Sequence, residues 1–289
     1  MSPIMNRGCD SEIPAWPGRG ARTAMIAAMD APEFLGLEPS TNPLRWRLPV
    51  VESLTTAQGS LFGGVALGAA ATALEQVTGR PLVFATAQYL AYAEAPATLD
   101  LDLVLAATGK QTTQARVIGA VDGNEIFTVN AALGTRPLDL RGTWVERPDV
   151  PPPDAFPATA VPEEVQSRIS GRMELRLAGD DGLTSVAGHG RISVWARLPG
   201  LEPCSAMLAV LGDMVPFGIR RVMGMRGSGN SLDNTLRVAR IVPTDWVLLD
   251  IRIHAVEHGF GHGAVHLWAE DGTFLATASQ SVIVRPPEA

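Results

Sequence analysis

The strongest constraint on this chain is that it repeats itself. Asp122-Gly123 opens a stretch that ends at Arg136-Pro137. Asp271-Gly272 opens an ungapped counterpart that ends at Arg285-Pro286, at an offset of 149 residues. A turn signal followed by a strand occurs widely, so the motif alone means little. A whole unit repeated at a fixed period restricts the fold to copies of one supersecondary arrangement. The question is then whether the wider pattern repeats too.

It does. In the first half Leu44 to Val50 reads as a strand, Gly59 to Gly64 breaks the chain, and Val65 to Val77 reads as a helix that is apolar almost all round. A helix without a polar face has to be buried on all sides. Strands follow near 82–91, 98–107, 111–121 and 125–135, rich in Val, Ile, Thr and Phe. The second half has strands at Met173–Leu177 and Arg191–Leu198, and a helix from about Pro203 to Val215. Strands near 231–239, 246–256, 262–270 and 273–284 come next. Between the halves, Leu138 to Glu164 carries Pro148, Pro151, Pro152, Pro153, Pro157 and Pro162, the composition of a stiff extended linker. The pattern predicts an α+β chain with a disordered tail over 1–33, one unit over 34–137, the linker over 138–164 and a second unit over 165–289. Two such sheets side by side remove exposed strand edges.

Composition narrows the partners. With 46% hydrophobic and 18% charged residues there is material for a large core. A net charge of -7, with Lys110 the only lysine, excludes the basic stripe that nucleic acid requires and suits an anionic membrane poorly. No apolar run reaches the length of a membrane span, and residues 1–30 hold no signal-like segment. Met25 and Met29 offer alternative starts. Cys9 and Cys204 are far apart, so no structural disulfide and a cytoplasmic, reducing location are expected.

Several short motifs, in order, resemble the acyl-CoA thioesterase II family over about residues 40 to 286. They are Gly63-Gly64 opening the first helix, Asp122-Gly123 and Ala131-Ala132, then Leu211-Gly212-Asp213, Ser231-Leu232-Asp233 and Ser279-Gln280. The resemblance implies a tandem (double) hotdog, two antiparallel sheets each wrapping a long apolar helix. It also implies hydrolysis of acyl-CoA to free acid and CoA, with no cofactor and no metal. In that family an Asp, a Thr or Ser and a Gln orient and activate a water. Carried over by position, these are Asp213, Ser231 and Gln280. The first-half equivalent of Gln280 is Ala131, so one half keeps the chemistry and the other the scaffold. Three departures stand out: Leu82 to Leu90 lacks the family's histidines, Asn234 stands where the family often has His, and the usual threonine is Ser231. The resemblance further implies an acyl-CoA substrate entering between helix and sheet, arginines such as Arg220 and Arg221 near its phosphates, and a homo-oligomer.

Each residue also has a plainer reading. Asp213 sits where a helix ends, against the negative end of its dipole, which disfavours a purely structural origin. A carboxylate beside an apolar wall has its pKa raised toward a useful base. Ser231 follows a Gly-rich loop and alone reads as a turn residue. Gln280 alternates with Ala278, Val282 and Val284, so its amide faces the core and needs a partner: a water, a thioester oxygen or a backbone group. Asp233 is a second polar residue in its strand. Gly59 to Gly64 lacks the Lys-Ser/Thr of a P-loop and reads as a turn, with an oxyanion-holding helix start as the sharper alternative.

His254, His258, His262 and His266 are spaced four apart, which on a helix makes a metal ladder. Gly259, Gly261 and Gly263 within the run make that helix improbable, and two strands joined by a turn fit better. A non-catalytic acyl-CoA or lipid carrier on the same scaffold is the alternative function. A hotdog hydratase, which pairs its Asp with a His five residues on, fits less well, because that position is Gly218.

Overall fold

The structure, a computed structural model, describes residues 29–178, 190–224 and 228–285. The expected disordered tail falls mostly on residues 1–28, and it lies with Cys9 and Met25 outside the described residues. Its last residues are a correction. Met29 N–H donates to Gly200 O at 2.7 Å, and Glu202 N–H donates back to Met29 O at 3.2 Å. Asp30 then caps helix α1 (Ala31–Leu35), accepting from the Glu33 N–H at 2.9 Å, while Phe34 and Leu35 are buried. Cap and burial together anchor 29–33.

In the first half β1 (Glu38–Pro39) and β2 (Arg45–Val50) precede helix α2 (Gly63–Thr78). After it come β3 (Leu82–Tyr89), β4 (Ala97–Thr108), β5 (Thr112–Val121) and β6 (Asn124–Gly134). The one-turn helix α3 (Ile169–Arg172), β7 (Glu174–Leu177) and β8 (Arg191–Arg197) open the second half. Helices α4 (Ser205–Gly212) and α5 (Val215–Met223) follow. The half closes with β9 (Ser228–Ser231), β10 (Asp233–Val238), β11 (Val247–Glu257), β12 (Phe260–Ala269) and β13 (Phe274–Arg285).

Among the described residues these strands form one antiparallel sheet rather than two. Its order is β1-β2-β4-β5-β6-β3-β10-β13-β12-β11-β8-β7, with β9 paired to β13. The halves run in mirrored order and meet where β3 pairs β10. There Thr86 lies opposite Thr235, and their hydroxyls hydrogen-bond at 3.1 Å across the 149-residue offset. The repeated Asp-Gly turns join β5 to β6 and β12 to β13. At the first, Asp122 (φ 50°) and Gly123 (φ 80°) make the two-residue turn whose twist suits a hairpin.

The core lies on one face of the sheet, under the helices. Leu99, Leu101 and Leu103 alternate inward from β4, and Val247, Leu249 and Ile251 do the same from β11. Helix α2 is buried from Gly64 through Leu74. Its companion is α4, and glycine sets their separation. A Cβ on Gly64 would lie 2.7 Å from Ala209 O and 2.8 Å from Val210 Cα. At the far end, Glu75 Oε1 accepts from the Leu82 N–H at 2.8 Å and the Ser205 hydroxyl at 2.9 Å. Burial pushes this carboxyl above its ordinary range.

Two further expectations are revised. The helix predicted from Pro203 to Val215 runs from Ser205 to Gly212, and after a break at Asp213 and Met214 a second helix that was not expected, Val215–Met223, follows. Pro216 explains the break: it has no N–H to continue a helix, yet suits the first turn of a new one. The proline-rich segment, expected as a stiff extended linker, is docked on the sheet over part of its length. Val150, Val145 and Phe156 pack on Trp195, Trp246, Trp268 and Leu248, on the sheet face away from the helices. Trp195 Nε1 donates to Pro151 O at 2.9 Å. No helix among the described residues is long and apolar enough to cross a membrane.

Candidate active site

The break between α4 and α5 leaves Asp213 as the C-cap of α4, its carboxylate turned into the core and only 5% exposed. Its Oδ2 accepts the Gly64 N–H at the start of α2, at 2.6 Å. Its Oδ1 accepts from Gln280 Nε2 on β13. The same Nε2 donates to Ser231 Oγ at 2.8 Å, and Gln280 Oε1 accepts the Val215 N–H at 3.0 Å. The structure thus brings Asp213, Ser231 and Gln280 into one network. Of the partners expected for the Gln280 amide the backbone group is present at its oxygen, while its nitrogen is taken by two side chains, Asp213 and Ser231, rather than left for a water or a thioester oxygen.

Strand alternation puts these groups together. Ala278, Gln280 and Val282 face the helices, and Ser231 on β9 lies opposite Val282. Burial raises the Asp213 pKa to about 6, against the lowering effect of the Gln280 and Gly64 hydrogen bonds. A carboxylate near that value is still mostly ionised at neutral pH and accepts a proton more readily than an exposed one.

Two members of the site were not among the expected residues. Tyr89, on β3 of the first half, donates its hydroxyl to Gly63 O at 2.8 Å. A Cβ on Gly63 would lie 3.0 Å from both the Tyr89 ring and Asp213 Oδ2, so glycine there allows them to converge. Burial pushes the phenol well above its ordinary range, with the charges of Asp213 and Asp233 adding to it. The second is Asn234 on β10, fully buried on the helix side. Its position was noticeable in sequence only as a departure from the family pattern. Tyr89 gave no signal, since it is remote along the chain from every other member.

The remaining residues sort differently. Asp233 Oδ1 accepts the Ser281 N–H at 2.8 Å and ties β10 to β13. The loop before α2 uses a helix-start N–H on Asp213. Arg220 and Arg221 occupy the last turn of α5, where Arg221 lies over the Phe217 ring. A Cβ on Gly218 would meet Ile251 Cγ2 at 2.7 Å, which leaves no room for an imidazole. Of the four histidines, His254 is on β11, His262 and His266 are on β12, and His258 is in the turn between them with φ 50°. By the 149-residue offset, the counterparts of Asp213 and Gln280 are Gly64 and Ala131, neither of which can take a proton.

Residues 148–284 match the model of the acyl-CoA thioesterase C-terminal domain. A crystal structure assigned as a thioesterase, from Novosphingobium aromaticivorans, is 30% identical with a TM-score of 0.78, over 86% of this chain and 98% of that one. A hot dog fold protein of unknown function from Alicyclobacillus acidocaldarius is 21% identical, TM-score 0.77, over 86% and 96%. The acyl-CoA thioesterase II of Mycobacterium marinum is 20% identical, TM-score 0.72, over 89% and 99%. No curated protein matches the chain. The last two likenesses carry the fold. The first, over nearly the whole of its partner, carries kinship as well, and makes this a hotdog-fold thioesterase. The chain belongs to the acyl-CoA thioesterase II family.

Proposed function

We propose that this chain hydrolyses acyl-CoA thioesters on a tandem hotdog scaffold, with Asp213 as general base. The observation that carries the reading is the Gln280 amide, which bridges Asp213 and Ser231 while its oxygen is held by Val215. Both Gln280 hydrogens are used within the protein, so Gln280 positions its neighbours and the water meets Asp213 and Ser231. Having accepted from Gln280, the Ser231 hydroxyl retains its own hydrogen to donate to that water.

The reaction is then simple to balance. Water oxygen bonds to the thioester carbon as its proton passes to Asp213, and the carbonyl π pair moves onto oxygen. Collapse of the tetrahedral intermediate breaks the C–S bond, and the leaving thiolate of CoA takes the proton back from Asp213. The products are a carboxylic acid and CoA. Arg220 and Arg221, at the end of α5, are the proposed contacts for the CoA phosphates.

The test is release of free thiol from acyl-CoAs of graded chain length by the wild type and by Asp213→Asn. Turnover in the wild type that falls by about 10²–10⁴-fold in the variant supports the reading. Binding without turnover in the wild type replaces it with a carrier. Equal rates remove Asp213 from the mechanism.

A further inference from the structure

We infer that Asn234 supplies the side-chain N–H that receives the thioester carbonyl oxygen and the negative charge that develops on it. The inference rests on the hydrolytic reading above and names a residue that reading does not use. Asn234 lies opposite Ala87 of β3, and the next residue, Thr235, lies opposite Ser279 of β13. One further step along that register sets Asn234 beside Gln280. Its side chain shares the helix-side face with Ala85, Ala87 and Tyr89 on one neighbour and with Ala278 and Gln280 on the other. Asn234 is therefore inside the polar cluster.

Its amide is nonetheless unused. Asn234 is fully buried, and neither Oδ1 nor Nδ2 makes a hydrogen bond to the protein. The Tyr89 hydroxyl is close enough to feel the amide, without completing a bond of normal geometry. Among the described residues Asn234 alone has both ends of one side chain buried and unpartnered. Leaving such groups unsatisfied costs stability, which an apolar residue at this position would avoid. Gln280, one strand away, has every amide atom occupied. An orphaned amide beside a saturated one is the arrangement expected of a ligand contact.

The donor inventory points the same way. A carbonyl oxygen gaining charge needs a fixed N–H or O–H aimed at it. The Gly64 N–H at the start of α2 is spent on Asp213, and both Gln280 hydrogens are spent on Asp213 and Ser231. Ser231 is engaged with the water. Asn234 Nδ2 is the remaining side-chain amide donor in the cluster, and it lies on the strand that follows Ser231.

The test compares wild type, Asn234→Ala and Asn234→Leu in three measurements: kcat and KM on an acyl-CoA, thermal unfolding, and the infrared carbonyl band of a bound ¹³C-labelled ketone analogue with CH₂ in place of sulfur. Expected are a fall in kcat of about 10²–10³-fold with KM within about twofold. A carbonyl band lowered by the wild type should return toward its solution position in both variants. Asn234→Leu should melt no lower than the wild type, because the amide makes no hydrogen bond to lose. A kcat for Asn234→Leu within about threefold of wild type overturns the inference. So does a carbonyl band that the substitutions leave unmoved, or that the wild type never lowers. Failure of both variants to fold also overturns it, by making the amide structural. A wild type without turnover that still lowers the band, with the effect lost in Asn234→Leu, overturns hydrolysis and leaves the Asn234 contact standing.

Discussion

The Val215 N–H, first in helix α5, donates to Gln280 Oε1 at 3.0 Å, and that one bond decides which way the Gln280 amide faces. With the oxygen committed to the backbone, the NH₂ group is aimed at Asp213 and Ser231. The broken helix therefore does two things at once. Its gap exposes Asp213 to the cluster, and its restart at Val215 orients the residue that holds Asp213 in place.

Replacing Gln280 tests this directly. Gln280→Ala leaves the Val215 N–H buried without a partner, at a cost of about 1–3 kcal/mol, measurable by urea unfolding. Gln280→Glu keeps the acceptor for Val215 but sets a second carboxyl against Asp213. The two carboxyls then share a proton, and the acid limb of kcat/KM moves to higher pH than in the wild type.

In the wild type the base works ionised. With its pKa at about 6, kcat/KM should rise as pH passes upward through that value and then level off. A profile flat from pH 5 to 8 would remove Asp213 as the titrating base.

Stability follows the opposite sense. The folded protein binds the Asp213 proton more tightly than the unfolded chain, whose carboxyl titrates near 3.8. The contribution is fully present below that pH and is lost as pH rises through about 6. Its size is on the order of 3 kcal/mol. Urea unfolding at pH 4.5 and 7.5 should show this loss in the wild type, with the Asp213 component absent in Asp213→Asn.

Gly64→Ala should be severe for so small a change. The added methyl meets Ala209 O, Val210 Cα and, at 3.0 Å, Asp213 Cβ, so α2 and α4 must separate. Overpacking of this kind costs about 1–3 kcal/mol, and thiol release should fall with the melting temperature.

The proline-rich segment should divide under limited proteolysis. Leu140 and Trp144 are 83% and 92% exposed, whereas Val150 and Phe156 pack on Trp195, Trp246 and Trp268. Cleavage is expected between 138 and 144 and not within 150–156, read by mass spectrometry of the fragments.

Much of this organisation was visible in the chain itself. The buried α2 follows from an apolar run with no polar face, and the strands from alternation around paired Asp-Gly turns. Asp213, Ser231 and Gln280 were found through resemblance, since nothing in their spacing says that they touch. Tyr89, and the contact of Gly64 with Asp213, escaped because contact between the halves has no sequence mark. The docked linker had a fainter sign. Val247 to Ile251 is apolar at four of five positions, which points to a strand covered on both faces. The split helix was signalled by Pro216, whose geometry permits a helix to begin there but not to pass through.

Gly64 and Asp213 touch, and the 149 residues between them are also the offset that relates the two Asp-Gly turns. An assembly of identical single units would place one residue type at both points. Two glycines leave no base, and two aspartates put like charges together where the Gly64 side has no room even for a methyl group. In a fused chain one copy is free to diverge from the other, and the pairing of Gly64 with Asp213 uses that freedom.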